Sequence, residues 1–236
     1  MSRARVQLEP GYVLNARPYS DSSLLVEALT RDHGRIGLIA RGARGPKSKT
    51  RALLQPLQPL LLSWTQSGEL GGLTAVEAAG PSLPISGERV FYGWYVNELV
   101  LKLLQRQDPH PGLFETYALT LTQLAGTEAE RALRVFEKRL LEELGYGLQL
   151  PDDLEPAQHY RYDWADGPVP VGEGPRTFLG ANLIALADET LDSAAAQTDA
   201  RRLLKAAIAN QLGGKTLETP AMLRQLRGAL GLRKPL

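Results

Sequence analysis

YVLNARPYSDSSLLVEALTRDHGRIGLIARGARGPKSKTRALLQPLQPLLL, residues Tyr12–Leu62, sets short apolar runs on either side of a cationic loop. The runs lead into the strand-like Gly34-Arg35-Ile36-Gly37-Leu38-Ile39-Ala40, which empties directly into the loop Arg41–Arg51. Those eleven residues hold five cations, Arg41, Arg44, Lys47, Lys49 and Arg51, and no acid. A loop this rich in Gly, Pro, Lys and Arg reads as a flexible cationic arm whose ends are held by the strands that flank it. Its natural partner is a polyanion, and nucleic acid is the commonest.

Working outward, Tyr12 to Pro18, Leu24 to Thr30 and Arg35 to Arg41 alternate as strands, broken at Ser20-Asp21-Ser22 and at Arg31-Asp32-His33-Gly34. Pro59 to Thr65 and Leu70 to Ala78 add two more. Five short strands with a basic loop after the third fit a small closed barrel of the OB type, although strand counting alone also fits an SH3-like barrel. Gly80-Pro81-Ser82-Leu83-Pro84 is a breaker cluster, and beyond it the apolar period changes from two to about 3.6.

Three helices are predicted there. The first starts near Ser86 with Phe91, Trp94, Tyr95 and Leu99 as its apolar side, and the second runs from Leu113 to Ala125. The third opens with the capping-box spacing Thr127 to Glu130 and stops at Gly145. Its apolar face is Leu133, Phe136, Leu140 and Leu144, beside a cationic stripe of Arg131, Arg134, Lys138 and Arg139 that could pair with Glu130, Glu137 or Glu142 one turn away. Residues 150 to 180 lose the helical period and read as a hairpin or irregular insert around His159-Tyr-Arg-Tyr-Asp-Trp164. Helices resume over Asn182 to Asp188, Asp199 to Leu212 and Pro220 to Leu230. The expected fold is therefore α+β and multidomain: a five-stranded barrel over 1–80, helices over 81–149, an insert over 150–180, and helices again over 181–236.

The 236 residues contain no cysteine, which removes disulfides, thiol catalysis and thiolate metal sites together. No window approaches the apolar length of a membrane span, and the first ten residues lack a signal-peptide core, so a cytoplasmic protein is expected. Net charge is only +1, yet residues 1–80 carry ten cations against six acids and the segment from Asp199 onward eight against two, so both ends are basic. Gly42 to Ser48 and Gly214-Lys215-Thr216 each miss the spacing of a phosphate loop. His33, His110 and His159 stand in separate turn-like segments, and the adjacent acids Asp152-Asp153 and Glu142-Glu143 do not face each other as an acid and base must; no catalytic, metal or cofactor site is read from them. For base stacking the barrel half offers Tyr12, Tyr19 and Trp64, so electrostatics is expected to dominate nucleic-acid binding.

Leu14-Asn-Ala-Arg17-Pro-Tyr-Ser-Asp-Ser-Ser-Leu24, Gly34 to Arg44 and Leu54-Gln-Pro56-Leu-Gln-Pro59-Leu60 resemble the amino-terminal OB domain of the bacterial recombination mediator and DNA repair family RecO, in its zinc-less form. The resemblance continues through Tyr92-Gly-Trp-Tyr95-Val-Asn97-Glu98-Leu99, Leu133 to Glu137, Leu144-Gly-Tyr-Gly147 and Leu212 to Leu217. It implies a non-enzymatic protein that binds single- and double-stranded DNA, anneals complementary strands coated with single-stranded-DNA-binding protein (SSB), and with RecR assists RecA loading, in a cytoplasmic, nucleoid-associated setting. The expected DNA contacts are Arg17, Arg35, Arg41, Arg44, Lys47, Lys49 and Arg51; the resemblance implies that Arg134, Lys138, Leu133 and Phe136 hold the acidic SSB tail. Where many members carry four cysteines as a zinc module, residues 150–180 have none, so this insert is expected to be metal-free and held by Tyr160, Tyr162 and Trp164. An OB-fold RNA binder and a hydrolase with a spatially assembled His and Asp set are the rival readings.

Overall fold

A computed structural model describes residues 4–66 and 68–229. Its first five strands, β1 (Ala4–Tyr19), β2 (Ser23–Thr30), β3 (Gly34–Ala40), β4 (Pro59–Gln66) and β5 (Leu70–Ala78), close into a barrel in the order β1-β2-β3-β5-β4. This strand order decides for the OB fold. Closure is made by parallel pairing of β3 with β5, Gly37 with Leu70, Leu38 with Gly71 and Ile39 with Gly72. A side chain at Gly71 would drive its Cβ to 2.8 Å from Trp64 Cδ1, and one at Gly37 to 2.6 Å from Leu70 Cδ2, so the seam needs glycine on both strands.

Alternation then sorts the side chains. Leu24, Val26 and Ala28 from β2, Ile36, Leu38 and Ala40 from β3, and Leu60, Leu62 and Trp64 from β4 fill the barrel. Ala43 of the cationic loop and Leu54 just beyond it complete the same core. β1 is longer than its pattern suggested because bulges after Val6 and Val13 let one strand pair with both β4 and β2.

Contacts divide the chain into two compact units, residues 1–127 with 216–236, and residues 128–215. In the first, the barrel carries α2 (Arg89–Leu103), α3 (Pro111–Leu124) and α7 (Thr219–Ala229). The expected last helix ended at Leu230, which lies outside the described residues. The buried face of α2 is Gly93, Val96, Asn97 and Val100, with Leu99 beside it, while Trp94 is exposed; the aromatic side that the sequence suggested is not the buried one. The reason is polar: Asn97 must face β1, because its Nδ2 donates to Leu14 O at 2.9 Å and its Oδ1 accepts from the Tyr117 hydroxyl at 2.6 Å. Tyr12 on β1 meets Phe114 and Tyr117 of α3 with ring centroids 5.7 and 5.0 Å apart. The outside of the barrel is thus a second core, and β2 is buried on both faces.

The second unit packs α6 (Ala194–Gln211) against α4 (Ala129–Glu143) and α5 (Gly180–Ala187) around Phe136, Leu140, Leu183, Leu204 and Ile208. Helix α4 starts later than the capping box implied: Glu128 occupies the cap position without a side-chain cap bond, and Glu130 pairs with Arg201 instead. Gly145, at φ 79°, supplies the expected left-handed stop. The insert is a three-stranded sheet of β6 (His159–Asp163), β7 (Gly167–Val171) and β8 (Phe178–Leu179). Tyr160 is buried, with its hydroxyl accepting from Glu155 N at 2.9 Å, and the Tyr162 hydroxyl accepts from Gln149 N at 2.9 Å. Trp164 leans on Tyr162 but remains 51% exposed, so two tyrosines rather than three aromatics tie the insert down.

α7 is held by Glu98 of α2. Its carboxylate accepts from Glu218 N at 2.7 Å and Thr219 N at 2.9 Å, capping the helix start, while Lys102 Nζ lies 3.2 Å away. Burial pushes the Glu98 carboxyl up, but these hydrogen bonds outweigh it and hold it below the ordinary glutamate value. A depressed folded value means stability that is present above the unfolded pKa of about 4.3 and lost as pH falls through the folded value. Glu98→Gln should therefore be less stable than the wild type at pH 7 by about 1.5 kcal/mol in urea denaturation, and the gap should narrow as the pH falls below the unfolded value and through the folded one.

Candidate nucleic-acid interface

Between Asp32 and Glu69 the chain has no acidic residue, and the cationic loop lies inside that span. It is not the flexible arm that its composition suggested. Ala43 and Leu54 are 0% and 2% exposed in the barrel core, anchoring the loop at both ends. Between them Ser48 caps the short helix α1 (Lys49–Leu53) by accepting from Arg51 N at 3.3 Å. Arg44 ties the loop to the β1–β2 turn: its backbone N–H donates to Ser22 O at 3.0 Å, and its Nη1 donates to Ser20 O at 2.6 Å and Asp21 O at 3.0 Å. Arg51 Nη1 reaches back to Arg44 O at 3.3 Å.

The expected DNA contacts then fall into three groups. Arg17, Arg41, Lys47 and Lys49 are exposed, and among the described residues their side chains make no hydrogen bond or ion pair. Arg44 and Arg51 are exposed too but use part of their donor set to brace the loop, leaving other guanidinium donors facing solvent. Arg35 does not belong with them. Its Nη1 donates to Leu101 O of α2 at 2.8 Å and sits 3.9 Å from Glu27, which Arg106 also grips. Burial lowers the Arg35 pKa, partly offset by Glu27. Arg35 points outward from the barrel at a position that α2 covers, which alternation along β3 alone did not reveal.

The cationic stripe of α4 is in the opposite state. Arg134 is 7% exposed and pairs with the buried Glu137 at 2.7 Å, one of the partners its helical spacing allowed. Leu133 and Phe136 are core residues at 5% and 0% exposure. The remaining three cations converge on Glu189, just beyond α5, which helical spacing within α4 could not disclose. Arg131 donates to its carbonyl at 2.9 and 3.0 Å, and Lys138 Nζ and Arg139 Nη2 bind its carboxylate at 3.1 and 2.8 Å. Burial raises the Glu189 carboxyl, but these two cations more than compensate and lower it.

Residues 3–81 match the family Recombination protein O N terminal, and residues 86–219 match Recombination protein O C terminal. The chain belongs to the recombination protein O family. Its relatives within that family include the DNA repair protein RecO of Alkalilimnicola ehrlichii, 45% identical over 237 residues that cover 96% of this chain and 94% of the relative. The DNA repair protein RecO of Methylococcus capsulatus is 43% identical over 228 residues, 94% of each chain, and that of Coxiella burnetii 40% identical over 227 residues, 93% and 98%. The order of the two family regions follows the change from strands to helices at Gly80-Pro81. Among the described residues no helix is long and apolar enough to cross a membrane, and no three His, Asp or Glu residues are grouped to hold a metal ion.

The buried Arg134–Glu137 pair carries a consequence for mutagenesis. Removing one partner of a buried pair strands the other, so Arg134→Ala should destabilise the protein by about 3 kcal/mol in urea or thermal unfolding. An Arg134→Ala protein as stable as the wild type would show that the pair is solvated in solution.

Proposed function

We propose that this protein is a non-catalytic DNA repair and recombination mediator that lays DNA on the exposed cations at one end of its OB barrel. The observation that carries this reading is the set Arg41, Lys47 and Lys49, exposed and unpaired among the described residues on an acid-free loop pinned by Ala43, Leu54 and Arg44, with Arg17 of β1 likewise exposed and unpaired. A preordered cationic surface loses little entropy when it meets phosphate, and each neutralised phosphate releases counterions whatever the sequence. Single- and double-stranded DNA are both ligands for such a surface. Annealing follows from screening the charge of two complementary strands held together. Family membership is the support for the protein acting on SSB-coated strands and, with RecR, assisting RecA loading.

Arg41→Gln, Lys47→Gln and Lys49→Gln combined should weaken binding to a labelled single strand at every sequence. The slope of log affinity against log salt should flatten by about 2, at roughly 0.7 per lost phosphate contact. Fluorescence anisotropy across a salt series measures both, and an unchanged slope would remove the loop from the site.

A second observation supports seating an SSB tail on α4. Lys138 and Arg139 already hold a carboxylate, that of Glu189. A tail rich in carboxylates is a chemical match for the same cations, and it would have to displace Glu189 to reach them. Glu189→Ala should then raise the affinity for a labelled SSB tail peptide several-fold while leaving single-strand affinity unchanged. A fall in peptide affinity would place the tail elsewhere.

A further inference from the structure

Of the three aromatics in the barrel half, only one is open to a ligand. Tyr12 is 8% exposed against Phe114 and Tyr117, Trp64 is 1% exposed in the barrel core, and Tyr19 is 43% exposed. Tyr19 is the last residue of β1, and its hydroxyl has no hydrogen-bond partner among the described residues. Nothing in the packing of the barrel accounts for a large ring kept in solvent at this point.

Its surroundings do. Tyr19 pairs in register with Ser23, which precedes Leu24; Leu24 pairs with Ala40, and Arg41 follows. Tyr19 and Arg41 therefore stand at the same end of the barrel, two strands apart, which is about 10 Å. Arg17 lies two residues back along β1, on the same face as Tyr19. The turn after the tyrosine is fixed, with Ser20 at φ 54° and the Arg44 guanidinium donating to both Ser20 O and Asp21 O. The loop that carries the cations thus also braces the turn that follows the ring, so the backbone beneath the ring and beneath the cations shares one frame.

We propose that Tyr19 is a stacking platform for an unpaired nucleobase of a strand whose phosphates lie on Arg17 and Arg41. The assignment rests on the DNA-binding reading above and adds a basis for strand selection to it. Phosphate contacts alone do not distinguish single strand from duplex in kind, whereas an aromatic face can stack only on a base whose own face is free. Stacking uses the ring and not the hydroxyl, and it survives salt that screens the cations. The surface then takes single-stranded nucleic acid in preference to duplex, most clearly at high salt.

The test compares three labelled ligands with the full chain: a single strand, the same strand with abasic sites along its length, and the duplex. Tyr19→Ala should weaken binding to the normal single strand about tenfold and change abasic-strand and duplex affinities by less than about twofold. Tyr19→Phe should bind all three like the wild type. Equal losses on all three ligands, no loss on the single strand, or a full loss in Tyr19→Phe would overturn the stacking role while leaving the DNA-binding reading in place. If the wild-type protein binds none of the three with salt-dependent affinity, the DNA-binding reading falls, and the base subsite falls with it.

Discussion

Three residue pairs between β3 and β5 close the barrel, and the rest of the first unit depends on that seam. It is short and parallel, and it exists because Gly37 and Gly71 let two backbones approach where Leu70, Leu38 and Trp64 already crowd the space. Closure leaves no free edge along β3 and fixes the direction in which the chain leaves it. That exit is the cationic loop. The seam thereby positions the loop as well as enclosing the core.

The loop converts composition into geometry. Glycine, proline and cations in an isolated peptide would sample many conformations, and ordering them on a ligand would cost on the order of 1 kcal/mol per residue or more. Here Ala43 and Leu54 bury themselves in the barrel, and Arg44 binds three backbone carbonyls of the β1–β2 turn through its side chain and its own N–H. That ordering cost is met on folding. The remaining cations are displayed rather than merely tethered, and Tyr19 shares their frame because Arg44 braces the turn that follows it.

Two sets of arginine and lysine show how little residue type says by itself. Arg17, Arg41, Lys47 and Lys49 face water without an anionic partner among the described residues, so their charge is available to a ligand. Arg131, Lys138 and Arg139 on α4 have spent theirs on Glu189, and Arg134 on Glu137. A ligand for the second set must offer more than Glu189 already does. Arg35 makes the same point within one strand: six residues before Arg41, it is committed to Leu101 and Glu27.

Alternation in the first eighty residues, the breaker at Gly80-Pro81 and the helical period beyond it were enough to read a five-stranded barrel followed by helices, and the motifs from Leu14 to Leu217 were enough to read the family. Those signals are local, carried by neighbours two to four residues apart or by short runs of fixed residues. The buried face of α2, the fate of Arg35, the anchoring of the loop by Ala43 and Leu54 and the gathering of three cations on Glu189 were decided only by tertiary structure. Each depends on a partner tens of residues away: Asn97 on Leu14, Arg35 on Leu101, Lys138 on Glu189. A periodic pattern says which side chains share a face, but not which face another element will cover. Whether a cation is free to bind or already bound is a question about that covering, so the candidate site could be located in the sequence but its available members could not.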